Sequence, residues 1–157
     1  MNNFKLRNIG ISLILMAFSQ LIFAEQPSVH NPKILNTKSG IRYVTGGIGE
    51  EDAGAMRAQA KNFTLNLLFS EGTSGRWVTD VNVNIYSEQD EIVFRVVASK
   101  PMLYVNLPAG TYTILANNDG QKLRHKFTLV EAENQRIILN WKDRLIDEDM
   151  PLDGEGN

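Results

Sequence analysis

The chain has no cysteine in its 157 residues. That absence excludes disulfides, thiolate metal sites and a cysteine nucleophile. Only two histidines occur, His30 and His125, too few for a multi-histidine metal centre. Charge of one sign is also lacking: 16 basic residues face 18 acidic ones. Aromatic residues are 8% and proline occurs five times, so neither a low-complexity nor a proline-rich chain is at hand. What is present is an ordinary globular balance, 43% apolar and 22% charged, at a length suited to one domain with short extensions.

The apolar residues are unevenly placed. Lys5 and Arg7 precede a run from Ile9 to Ala24 with almost no polar residue. A basic start, an apolar stretch and a small residue at its end read as a secretory signal peptide over residues 1–24, cleaved near Ala24. The run is shorter than the roughly 20 residues a spanning helix needs, so no membrane span is expected in the mature chain. The expected location is the periplasm, or outside the cell. Removing Lys5 and Arg7 takes the net charge from −2 to −4. That surplus sits entirely after Trp141, in Asp143, Asp147, Glu148, Asp149, Asp153 and Glu155 against Lys142 and Arg144. The body is neutral and offers no electrostatic footprint for nucleic acid.

Residues 25–38 hold two prolines, Asn, Ser and Thr without periodicity and read as a linker. Residues 39–61 read as a short strand over Ile41 to Thr45 and a helix opened by Glu50, Glu51 and Asp52. The helix carries an inner stripe of Ala53, Met56 and Ala60. From Phe63 the apolar period becomes two. Seven segments alternate in this way: Phe63 to Phe69, Val81 to Ile85, Ile92 to Val96, Leu103 to Leu107, Tyr112 to Ala116, Leu123 to Leu129 and Ile137 to Trp141. On the first, one face is expected to be buried and the other mostly wet. Asn118-Asp119-Gly120 is a hairpin signal, because its residues tolerate positive φ. The pattern predicts an all-β protein, a seven-stranded β-sandwich over residues 62–142 preceded by one short helix. Residues 143–157 form an acidic, glycine-containing tail, expected to be loose and at most to graze the basic row Lys122, Arg124, Lys126.

Two stretches, Val81-Asn82-Val83-Asn84-Ile85 and Leu107-Pro108-Ala109-Gly110-Thr111-Tyr112, resemble the carboxypeptidase regulatory-like family. The Leu-Pro-Ala-Gly-x-Tyr pattern is the commonest mark of those modules. The resemblance covers about residues 63–141 and implies a prealbumin-like (transthyretin-like) Greek-key sandwich. The Gly-Gly-Ile-Gly segment and helix before it are similar to those of small exported proteobacterial proteins carrying this module. Related sandwiches are classed with carbohydrate-binding folds, an analogy of fold rather than of site.

Four features bear on function. Gly46-Gly47-Ile48-Gly49 before a helix suggests a phosphate cradle, but Glu50, Glu51 and Asp52 stand where the anion would lie, and no Gly-Lys-Ser/Thr follows. Those three consecutive acids do not have the alternating spacing of a calcium loop, so no metal and no cofactor are expected. His125 falls on the inward register between Leu123 and Phe127, with no pattern around it that marks a catalytic triad. Arg76 and Trp77 follow the loop Ser70 to Gly75 and are the candidate binding residues. Trp77 either caps one end of the core, the default for a residue buried on average, or anchors a partner.

No catalytic residues are identified. The prealbumin-like hydrolase of 5-hydroxyisourate ends in Tyr-Arg-Gly-Ser and uses several histidines, whereas this chain ends Asp153-Gly154-Glu155-Gly156-Asn157. Intradiol dioxygenases hold iron with two Tyr and two His, for which this chain offers as histidines only His30 of the linker and His125 of a strand. The expected function is a non-catalytic module for protein interaction or assembly in the cell envelope. A carbohydrate-binding module is the alternative. It predicts several exposed aromatics on one face.

Overall fold

The computed structural model describes residues 31–142. In chain order the elements are β1 (Leu35–Asn36), β2 (Arg42–Gly46), α1 (Gly49–Gln59), a 3₁₀ turn (Ala60–Asn62), β3 (Leu65–Glu71), β4 (Arg76–Trp77), β5 (Val81–Ser87), β6 (Ile92–Ala98), β7 (Met102–Val105), β8 (Gly110–Asn118), β9 (Gln121–Leu129) and β10 (Gln135–Trp141). The strands form two sheets packed as a sandwich. One has the order β1-β2-β7-β3-β10, with β4 also paired to β3, and the other the order β6-β5-β8-β9. All pairings are antiparallel except β3 with β10, which runs parallel from Gln135↔Leu65 to Trp141↔Glu71.

Each alternating segment of the sequence lies on one of β3 and β5–β10. The described strands number ten. Seven carry the alternating segments expected of the sandwich, and β2 lies where the short strand over Ile41 to Thr45 is expected; it is integral to the first sheet, pairing with β7 from Tyr43↔Val105 to Gly46↔Met102. The other two, β1 and β4, are two residues long and leave no period to read.

The core lies between the sheets, where Leu65, Leu67 and Phe69 of β3 meet Val81, Val83 and Ile85 of β5, Phe94 of β6 and Ile114 of β8. These side chains are essentially removed from water, each contributing about 1.5–3 kcal/mol of burial. Trp141 closes one end of this core, its indole N–H donating to the Gln121 carbonyl at 3.0 Å.

A second, smaller apolar cluster sits on the other side of the first sheet. Ala53 and Met56 of α1 pack there with Val44, Phe63, Met102 and Tyr104. The helix therefore forms a third layer. It overturns the expectation of a wet outer face on β3, since Asn66 and Ser70 are buried and Leu68 is half-buried.

Turns follow local chemistry. Asp119 and Gly120, at φ 46° and 85°, link β8 to β9 where Asn118 pairs with Gln121. Positive φ at both loop residues matches the twist of the flanking strands. In the Leu-Pro-Ala-Gly-Thr-Tyr segment, the Tyr112 hydroxyl donates to the Pro108 carbonyl at 3.0 Å. A Cβ on Gly110 would lie 3.3 Å from that hydroxyl oxygen, so glycine lets the ring fold back over the turn.

Candidate functional site

The site begins with the glycine loop between β2 and α1. A helix start leaves backbone N–H groups without intrahelical partners. Here Asp52 turns back to meet the N–H groups just before the helix, and its carboxylate accepts from Gly47 at 2.8 Å and from Ile48 at 3.1 Å. Lys100, just before β7, donates to the same oxygen at 3.0 Å. The Asp52 residue is 8% exposed. Burial pushes its carboxyl pKa up, but the Lys100 ammonium and the Ile48 and Gly47 N–H groups together hold it below the ordinary value. The loop is thus an anion cradle filled from within. This is the physical reason it reads as a helix start and not as a phosphate site.

With its backbone fixed this way, the loop turns Ile48 outward, 57% exposed. Trp77 lies across from it on β4 at 44% exposure. The ring passes over Gly47, where a Cβ would come within 3.1 Å of the indole Cζ3. Between these residues runs an open, mainly apolar groove of about 490 Å³. Gly49, Glu50, Ala53 and Arg57 of the helix form one wall, and Trp77, Thr79 and Pro101 the other. Glu50, Ala53 and Arg57 are three and four residues apart, so they share one helix face. The groove thus joins three parts of the chain that are distant in sequence, and its floor is the glycine loop.

Arg76 does not line this groove. Successive residues of a strand point to opposite faces. Its side chain is 74% exposed and pairs with Glu71, the Nε lying 2.8 Å from Oε1. Of the two candidate binding residues, Trp77 is the one that the fold places in the groove, together with Ile48 and Glu50 of the segment weighed as a phosphate cradle. Nothing in the sequence singles out Pro101 and Arg57. The one signal for Ile48 was an isolated large apolar side chain between glycines, a setting in which no core can form around it.

His125 keeps the inward register expected of it, opposite buried Ile114, but is exposed. Its ring stacks on Phe127 with centroids 6.5 Å apart. The reason is that β9 is the outer strand of its sheet, so the middle of its inward face is not covered. Lys122, Arg124 and Lys126 are exposed on the opposite face of β9. Arg95 on β6 is also exposed, its Nε donating to Asn84 Oδ1 at 2.8 Å. The acidic tail expected to graze this face, and the signal peptide, lie outside the described residues. Among the described residues no group of three or more His, Cys, Asp or Glu side chains is placed to hold a metal. None of the described helices is long and apolar enough to cross a membrane.

No family model matches the chain, and no curated protein matches it.

Proposed function

We propose that this protein is a non-catalytic, exported β-sandwich module that binds a protein partner of the cell envelope through the groove between α1 and β4. The observation that carries this reading is the pairing of two large exposed apolar side chains, Trp77 and Ile48, across one open groove. Monomeric surfaces scatter such residues singly, whereas adjacent ones rimmed by polar groups mark contact sites. Trp is among the residues most enriched at binding hot spots. The rim here is polar, with Glu50, Arg57 and Thr79. Export rests on the basic, apolar and small-residue order of residues 1–24.

The finer architecture belongs to the same proposal. We read β3 and β5–β10 as the seven strands of a prealbumin-like Greek-key sandwich of carboxypeptidase regulatory-like type. The support is the Leu-Pro-Ala-Gly-Thr-Tyr turn and the parallel pairing of the first and last of these strands. The strands β1, β2 and β4 with α1 are then additions to that frame, and of these α1 and β4 line the groove. A sugar-binding reading has less to stand on, because the groove holds a single aromatic platform, Trp77.

Site-directed photo-crosslinking tests the function. A photoreactive residue in place of Ile48 is expected to trap a discrete partner in periplasmic cells. The same residue in place of Glu88, on the exposed turn between β5 and β6, is expected to trap none. Equal trapping at both positions, or none at Ile48, contradicts the groove as the contact surface.

A further inference from the structure

We propose that a second, smaller pocket, under the C-terminal turn of α1, is a binding site for a carboxylate group, clamped by Arg57 and Arg136 beside Tyr104. The strand register creates the site. Tyr104 of β7 stands opposite Asn66 of β3, and Asn66 stands opposite Arg136 of β10. These three residues form one row across the outer face of the sheet, with neighbouring strands about 4.8 Å apart. The last turn of α1 hangs over the row and brings Arg57 and Ala60 onto it. The enclosed space is about 100 Å³, room for a carboxylate group and little more, since a water molecule takes about 30 Å³ of liquid.

The polar groups there lack partners of their own strength. No ion pair joins Arg57 or Arg136 to a carboxylate among the described residues. Tyr104 is 6% exposed, and among the described residues its hydroxyl finds only the Met102 sulfur, at 3.6 Å. A thioether is a weak acceptor, so a buried phenol O–H is left with much of its donor capacity unused. Arg57, Arg136 and Tyr104 all line this pocket; burial raises the Tyr104 pKa, while Arg136 and Arg57 both act to lower it. Two guanidinium groups give the pocket an excess of donors, with the buried Oδ1 of Asn66 as the acceptor beside them, and planar forks of this kind match a carboxylate in two-point contact.

The helix end selects the charge of the ligand. The Ala60 carbonyl, at the negative end of α1, is already taken by the Asn66 and Asn134 amides at 3.1 and 2.8 Å. Arg57 sits in the last helical turn, where it offsets the helix dipole. Arg136 stands on a strand and has no such role. A carboxylate, with a single charge, fits beside this negative end better than a phosphate dianion, for which the pocket offers no helix N-terminus. Arg57 lines both this pocket and the Trp77 groove. A partner in the groove can therefore set a terminal or side-chain carboxylate here. That extension rests on the groove reading, whereas the carboxylate site stands without it.

The test follows the arginine Nε–H signals of the mature protein by NMR during titration with acetate, and separately with phosphate, at constant ionic strength. Acetate is expected to shift the Arg57 and Arg136 signals together and saturably. Arg57→Gln and Arg136→Gln are each expected to weaken binding about tenfold. Both residues are exposed, so these variants keep the fold, which their amide spectra check. Tyr104→Phe is expected to weaken binding while preserving packing, and Lys122→Gln on the distant basic row to leave it unchanged. Trp77→Ala is also expected to leave acetate binding unchanged, so the outcome is separable from that of the groove. No saturable shift at about 100 mM acetate, binding that survives both arginine substitutions, or tighter binding of phosphate than of acetate overturns the proposal.

Discussion

Replacing Asp52 by alanine is expected to lower the melting temperature by roughly 10 °C. The Asp52 carboxylate receives the Gly47 and Ile48 N–H groups and the Lys100 ammonium. Removing it leaves two backbone donors at the head of a helix and a part-buried cation without its partner. Losing hydrogen bonds to a buried charge costs about 2–4 kcal/mol in all. The Lys100 side chain is 35% exposed, so its share is reduced by solvent screening. The same contacts make stability depend on acid. The folded-state pKa of Asp52 lies below its ordinary value, so its contribution is complete above the unfolded value near ~3.9 and is lost as pH falls through the lower folded-state value. Asp52→Asn removes this part of the acid limb. Thermal unfolding of both variants and the parent between about pH 2 and 7 checks both statements. An Asp52→Ala melting point within about two degrees of the parent contradicts the stapled loop.

The glycines of the same loop separate backbone strain from contact. Gly47 and Gly49 have φ of 100° and 78°, a region that costs other residues about 1–2 kcal/mol. A Cβ on Gly49 meets nothing within 4 Å. A Cβ on Gly47 lies 2.9 Å from Met102 Cγ and 3.1 Å from the Trp77 ring. Gly49→Ala is therefore expected to cost about 1 kcal/mol. Gly47→Ala adds an overpacking term of about 1–3 kcal/mol and displaces the indole. Denaturant unfolding gives the two costs, and the Trp77 indole N–H resonance reports the displacement. Equal costs, with an unmoved Trp77 resonance in both variants, contradict the close packing of the ring on the loop.

The contrast between these two glycines marks how far the sequence could be read. Period-two alternation located the long strands because each buries one side. The Asn118-Asp119-Gly120 turn was legible because its φ requirement is local. The outer face of β3 was misread because its cover, α1, comes from before the strand, and sequence period records only that a face is apolar or polar. Asn66 and Ser70 are polar yet buried under that layer. His125 failed for the opposite reason: its register points inward, but strand order leaves β9 at an edge. Trp77 was visible as an aromatic with no place in a strand period. Its neighbour Arg76 looked equivalent in sequence, but a strand sends adjacent side chains to opposite faces. Ile48, Arg57 and Pro101 join Trp77 only through the tertiary fold, and so does the Tyr104, Asn66, Arg136 row, which needs the register of three strands.

Trp77→Ala, measured for both stability and partner capture on one preparation, tests the central claim most directly. A core cap of this size would cost ~3–5 kcal/mol on truncation. Trp77 keeps 44% of its surface exposed, so a loss of about 2–3 kcal/mol is expected, the buried fraction of that range. Capture through the photoreactive residue at Ile48 is expected to disappear in the same variant. A variant that loses about 5 kcal/mol, the full cost of a core cap, or one that loses no more than expected and still captures its partner, contradicts the groove as the functional surface of this protein.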